Sequence, residues 1–180
     1  MAFNSDDIFA KEGEQMVEKH YLARGFNTEN VREQTEFQRK DIDLIISDTD
    51  SNSFTIEVKR DRKIAGTGNF FIEIISNREE GKEGWFTKCK ADYLYYINSE
   101  TNMAYIFNPQ ELRKVVDSHI TRFTRKVVND NCKSILGYVI PVDSLRNLIL
   151  NENGFWKEVQ LEELTREDIR FFLRKEWGLI

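Results

Sequence analysis

Two carboxylates and an amine stand at a spacing that suits cation-assisted chemistry: Asp43, Glu57 and Lys59. The run Phe54-Thr55-Ile56-Glu57-Val58-Lys59 alternates cleanly, which predicts a strand with its apolar residues on one face and Thr55, Glu57 and Lys59 on the other. Two residues of strand rise separate the Glu57 and Lys59 side chains by about 6–7 Å. Asp43 interrupts the apolar run Ile42-Asp43-Leu44-Ile45-Ile46 just upstream, where a charge is costly unless paired or bound to metal. An isolated Glu-x-Lys is most often an ordinary ion pair on a half-exposed strand, but two further acids shift the balance. Glu73 sits within the apolar stretch Phe70 to Ile75, and Glu14 borders the apolar stripe of the first helix beside Val17 and Tyr21. Four acids converging with a lysine would repel one another strongly without a cation. The set reads as a site for metal-dependent hydrolysis of a phosphodiester. Asp41 is an alternative to Asp43; the position before Leu44-Ile45-Ile46 favours Asp43.

Periodicity predicts the elements that must hold these residues. Ser5 before Asp6-Asp7 reads as the N-cap of a helix to about Leu22, with Phe9, Met16, Val17, His20 and Tyr21 on one stripe and Gly25 ending it. Val31 to Phe37 reads as a short strand and Asp41 to Ser47 as a second. The polar segment 48–53 is a hairpin loop into the strand Phe54 to Arg60. Phe70 to Ile75 predicts a strand buried in mid-sheet. Trp85 to Ala91 suits one or two helical turns, followed by strands at Asp92 to Ile97 and Met103 to Phe107. Asn108-Pro109 starts a helix to about Phe123. Gly137 to Val142 reads as an edge strand, Asp143 or Ser144 opens a short helix, and Thr165 to Glu176 forms another. The order α-β-β-β-α-β, with further elements appended, predicts an α/β fold in which helices flank a mixed central sheet.

A chain of 180 residues, 40% of them hydrophobic, can bury a sizeable core, and one domain over residues 1–180 is expected. Cys89 and Cys132 follow no metal spacing, which fits reduced thiols in a cytoplasmic setting. The first residues lack the features of a signal peptide, and no apolar run approaches bilayer length, so no membrane partner is expected. The net charge of −5 argues against general adhesion to nucleic acid but leaves room for a local basic groove. Arg60, Arg62 and Lys63 follow the central strand, and Arg122, Arg125, Lys126 and Lys133 cluster later; each group taken alone also fits a solvated surface. His20 and His119 have no partner spacing for zinc, and Gly66-x-Gly68 is too short to cradle a phosphate.

Glu14 on the first helix, followed by Asp43 and Glu57-Val58-Lys59, resembles the PD-(D/E)xK nuclease superfamily, which includes restriction endonucleases and archaeal-type Holliday junction resolvases. The resemblance covers about Ser5 to Ile97. The segments Arg39 to Ile45, Thr67 to Glu73 and Gly84-Trp85 through Asp92-Tyr93 look like a phage and bacterial branch of it. No proline precedes the acid; Lys40, Asp41 and Ile42 occupy that place. The resemblance implies a restriction endonuclease-like αβββαβ core over residues 1–108 and an elaboration over 109–180 for substrate or oligomer contacts. It also implies a Mg2+-dependent deoxyribonuclease, with Mn2+ as a substitute. Asp43, Glu57 and the Val58 carbonyl would be the ligands. Lys59 would orient or deprotonate the attacking water, and Glu14 would hold an outer water. Glu73 would serve a second ion or support the first. Arg60, Lys88, Lys90, Arg125 and Lys126 are the implied nucleic-acid contacts. DNA is the expected partner, a homodimer is an option, and the setting is the cytoplasm of a bacterium or of a phage's host. The rival is a catalytically silent protein that keeps the fold and binds nucleic acid or protein as an inhibitor or accessory factor.

Overall fold

The computed structural model describes residues 2–130 and 133–174. Cys132 and the expected helix end at Glu176 lie outside the described residues. Helix α1 (Ala2–Leu22) leads into β1 (Asn27–Asn30), the one-turn α2 (Thr35–Gln38), and the hairpin of β2 (Leu44–Ser47) and β3 (Ser53–Asp61). Between β3 and β6 (Tyr93–Asn98) come α3 (Ile64–Thr67), β4 (Asn69–Asn77), β5 (Lys82–Glu83) and α4 (Trp85–Lys88). The chain continues through β7 (Met103–Phe107), α5 (Pro109–Ser118), β8 (Thr124–Asp130) and β9 (Lys133–Pro141). It closes with α6 (Val142–Asn151), β10 (Trp156–Gln160) and α7 (Arg166–Arg174).

The α/β expectation holds: helices flank a six-stranded mixed sheet of order β1-β2-β3-β6-β7-β10. β3 and β6 run parallel, with Ile56 opposite Tyr93 and Lys59 opposite Tyr96. The other neighbours are antiparallel. Parallel strands require a crossover connection, and here that crossover carries β4 and β5. These two join β9 and β8 in a second, antiparallel sheet of order β5-β4-β9-β8.

Strand alternation decides the layers. Phe54, Ile56 and Val58 are at most 5% exposed and pack with Val17 and Tyr21 of α1, Tyr93 and Tyr95 of β6, and Phe172 of α7. Full burial of a side chain such as Phe54 contributes about 1.5–3 kcal/mol. The opposite face of the main sheet sets Leu94, Tyr96 and Phe107 against Phe70 and Ile72 of β4, Tyr138 and Ile140 of β9, and the apolar sides of α5 and α6. Glu57 and Lys59, in register with Leu94 and Tyr96, point to this second side.

Several sequence expectations change for identifiable reasons. Helix α1 already begins at Ala2, so Ser5 lies inside it instead of capping it. Phe9 leaves the apolar stripe; the guanidinium carbons of Arg60 and Arg62 lie 4.4 and 3.6 Å from its ring centroid. The strand expected at Val31 to Phe37 is replaced by β1 at Asn27–Asn30 and the α2 turn. Gly25, at φ +78°, reverses the chain early, and β1 pairs through its backbone as an edge strand that needs no apolar pattern. The segment around Phe70 to Ile75 lies in the middle of the second sheet, not beside β3 in the first. Likewise β9 is no edge strand, because β8, a polar segment the sequence pattern does not mark, covers its far side. Helix α5 stops at Ser118 instead of Phe123, and β10 has no counterpart among the expected elements.

Candidate active site

The site forms where one ladder stops short. Asp43 donates its amide to Ile56 O at 2.9 Å and accepts from Val31 N at 2.8 Å, so its backbone is tied to both neighbouring segments. The β2–β3 register ends at Leu44 and Ile56. The next inward-facing amide on β3, that of Val58, is taken by the Asp43 side chain, with Oδ2 accepting at 2.8 Å. An extended residue points its N–H and C=O to the same edge, so the Val58 carbonyl also faces the place that β2 has vacated. This gap joins the two sides of the sheet. Glu14 from α1 and Glu57 from the opposite face of β3 therefore line one cavity of about 290 Å3, together with Arg32, Asp41, Asp43, Val58, Lys59 and Lys88.

Four carboxylates meet three cations in this cavity. Lys59 donates to Glu57 Oε1 along the same strand. Arg32 bridges Glu14 and Asp7, and Lys88 stands 3.0 Å from Asp41 Oδ1. Glu57 and Glu14 are each 2% exposed. Burial pushes the Glu57 carboxyl well above its ordinary value; Asp43 and Asp41 add to this, while Lys59 opposes it. Burial, then the charge on Asp43, brings Glu14 up to about 7 against the pull of Arg32. For Lys59, burial acts against the charge, but Glu57, Asp43 and Asp41 more than offset it and hold the ammonium above its ordinary value. Even so, Glu57 Oε2 and Asp41 Oδ2 are buried without a hydrogen-bond partner among the described residues. Carboxyl oxygens left bare in this way suit a hard divalent cation, whose charge would favour their ionised form.

The cavity collects six of the residues expected from sequence: Glu14, Asp43, Glu57, Val58, Lys59 and Lys88. Glu73 does not line it. That residue stands on β4 in the second sheet, where burial raises its carboxyl against the pull of Lys59 and Lys133 and the Trp85 amide donates to it. Arg60 is turned toward α1, where it pairs with Glu12 at 2.6 Å and covers Phe9. Lys90 is exposed beyond α4, and Arg125 and Lys126 are exposed on the edge strand β8. Arg32 is a site residue the sequence reading missed; it follows a polar edge strand with no pattern to mark it.

No match comes from protein-family models, and no curated protein or solved structure matches the chain significantly. Among the described residues, no three His, Cys, Asp or Glu side chains are grouped as ready metal ligands. The donors that fit a cation here are a smaller set, two carboxylates and a backbone carbonyl, of the size Mg2+ uses when it keeps several waters. No helix among the described residues is long and apolar enough to cross a membrane.

Proposed function

We propose that the protein is a Mg2+-dependent deoxyribonuclease of the PD-(D/E)xK kind, with a restriction endonuclease-like core running from α1 to β6. One observation carries this reading. The buried Glu57 keeps an oxygen without a hydrogen-bond partner among the described residues, inside a cavity it shares with Asp43, Val58 and Lys59. Such an oxygen is costly to bury unless a cation meets it. Element order adds partial support: α1, the antiparallel β1, β2 and β3, then α4 and the parallel β6 come in αβββαβ order, with α2 inserted after β1 and α3, β4 and β5 inserted before α4.

In this reading Asp43, Glu57 and the Val58 carbonyl would hold Mg2+, or Mn2+ in its place, and a cation held there would supply Lewis acidity toward a water and the phosphoryl oxygens. The chain's own residues do the rest. Glu57 holds Lys59 along the strand, so a charged ammonium stands ready beside the attacking water and the phosphate. Glu14, itself held by Arg32, orients an outer water. Lys88 at the rim meets the phosphate backbone, and Arg125 and Lys126 on β8 add contacts that carry no sequence information.

The test is cleavage of supercoiled plasmid and of a branched duplex in Mg2+ or Mn2+, with Lys59→Ala alongside. The wild type is expected to cut and the variant to lose cutting. Absence of cutting on DNA and RNA alike, with no rise in Tm on adding Mn2+, would leave the binding-protein reading in its place.

A further inference from the structure

Asp41 is held more firmly than its place in a loop suggests. Its φ of +46° lies in the left-handed region, which an Asp tolerates better than most residues. Backbone bonds fix it from both sides: Ile42 N donates to Phe37 O at 3.2 Å, and Lys90 N donates to Lys40 O at 2.7 Å. The Cys89 thiol lies 3.6 Å from the Asp41 carbonyl. Thus α2 and the α4–β6 connection together aim the Asp41 side chain into the cavity, with only 15% of it exposed.

The two carboxylate oxygens left bare are on different residues of that one cavity. Asp41 spends Oδ1 on Lys88 and Glu57 spends Oε1 on Lys59, while Asp41 Oδ2 and Glu57 Oε2 have no hydrogen-bond partner among the described residues. Lys59 is fixed by its own strand, two residues from its acid. Lys88 is different: it reaches Asp41 from a separate four-residue helix, and its side chain is 35% exposed. A long, half-solvated lysine pairs weakly and exchanges partners at little cost.

Asp41, Asp43 and Glu57 are not grouped as ready ligands in this conformation; we infer that Asp41 joins the other two as a third carboxylate ligand when a divalent cation binds, and that Lys88 is its displaceable counter-ion, released by the cation to grip a phosphate oxygen of the substrate. This rests on the nuclease reading above and adds a coupling to it: cation binding and DNA binding strengthen each other through one ion pair. The coupling is reciprocal by thermodynamic necessity.

The experiment uses the full chain without turnover. Mn2+ binding is measured in the absence of DNA for wild type, Asp41→Asn, Asp41→Gly and Lys88→Met. Glycine suits φ +46° and removes the ligand without backbone strain, so a failure of the Asn variant to fold leaves the question answerable. Both Asp41 variants are expected to weaken Mn2+ binding by about tenfold or more. Lys88→Met is expected to tighten it by removing the competing charge. Affinity for a fluorescent duplex is then measured with and without Ca2+; the wild type gains affinity with Ca2+, and Lys88→Met loses most of that gain. Wild-type protein that binds no Mn2+ would overturn the nuclease reading and this inference together. Wild-type binding that Asp41→Gly leaves unchanged would overturn the third ligand alone. An unchanged Ca2+ gain in Lys88→Met would overturn the release of Lys88.

Discussion

The Asp43 carboxylate accepts the amide hydrogen of Val58 at 2.8 Å, across the point where the β2–β3 ladder ends. One side chain thus closes the strand pairing and stands at the candidate cation site. The two duties separate by substitution. Asp43→Asn keeps an oxygen for the Val58 amide and is expected to melt within about 1 kcal/mol of wild type while losing Mn2+-dependent cleavage. Asp43→Ala leaves that amide without its acceptor and is expected to lose about 1–3 kcal/mol of stability as well. Chemical denaturation of both variants checks this; equal stability losses would mean that the hydrogen bond contributes nothing.

Glu14 is expected to make the protein sensitive to pH near neutrality. Burial, then the neighbouring Asp43, raises its carboxyl to about 7, above the ordinary 4.5. The fold therefore favours the protonated form. Its contribution to stability is complete below about 4.5 and is lost as pH rises through about 7. Glu14→Gln, which stays neutral, is expected to flatten the fall of Tm between pH 5 and 8. Parallel Tm curves for the two proteins would refute the shift.

His20 titrates with the opposite consequence. Burial, then the positive charge of Arg24, lowers its pKa from 6.5 to about 4, although the Leu164 carbonyl opposes this. The neutral ring donates Nε2–H to that carbonyl at 3.1 Å and so joins α1 to the turn before α7. The stability it contributes is full above 6.5 and is lost as pH falls through about 4. NMR titration of the His20 ring is expected to give a midpoint near 4. A midpoint near 6.5 would show that the ring is solvated and the contact open.

Gly84 is the tightest backbone approach beside the site. A Cβ there would lie 2.4 Å from Glu73 O and 2.7 Å from the Glu73 carbonyl carbon, neither of which can swing away. Gly84→Ala is expected to cost about 1–3 kcal/mol and to shift α4, and with it Lys88. Gly25→Ala meets no atom within 4 Å and is strained only through its φ of +78°, so it should cost about 1 kcal/mol. Urea denaturation of the two variants orders them. A Gly25 variant less stable than the Gly84 variant would contradict the packing described.

The part of the site legible in the sequence is the part built from a hairpin. Phe54 to Lys59 alternates because one face meets α1 and the other does not, and Asp43 reaches Glu57 because a short loop joins their strands. Local pattern carries such information. It carries none about which sheet a strand joins, and so Glu73, apolar neighbours and all, falls in the second sheet through its pairing with the distant β9. Arg32 stays hidden, and Asp41 enters only as a rival to Asp43 and not beside it, for another reason. Their places follow from a polar edge strand and from one residue in a left-handed conformation, and neither leaves a periodic trace. Strand β8 escapes notice because its residues from Thr124 to Val127 are exposed on both faces, so no alternation develops.

The crossover between β3 and β6 also has a consequence for assembly. Every carboxylate of the cavity lies between α1 and β3, a stretch whose contacts are local enough to form early in folding. Strand β4 emerges inside the crossover but finds its main ladder only when β9 arrives, after β5 through β8 have been laid down. The acidic half of the cavity is therefore expected to assemble first and the wall bearing Lys88 to close over it last, so a chain interrupted before β9 is expected to hold the cavity's carboxylates in place with the segment bearing Lys88 undocked.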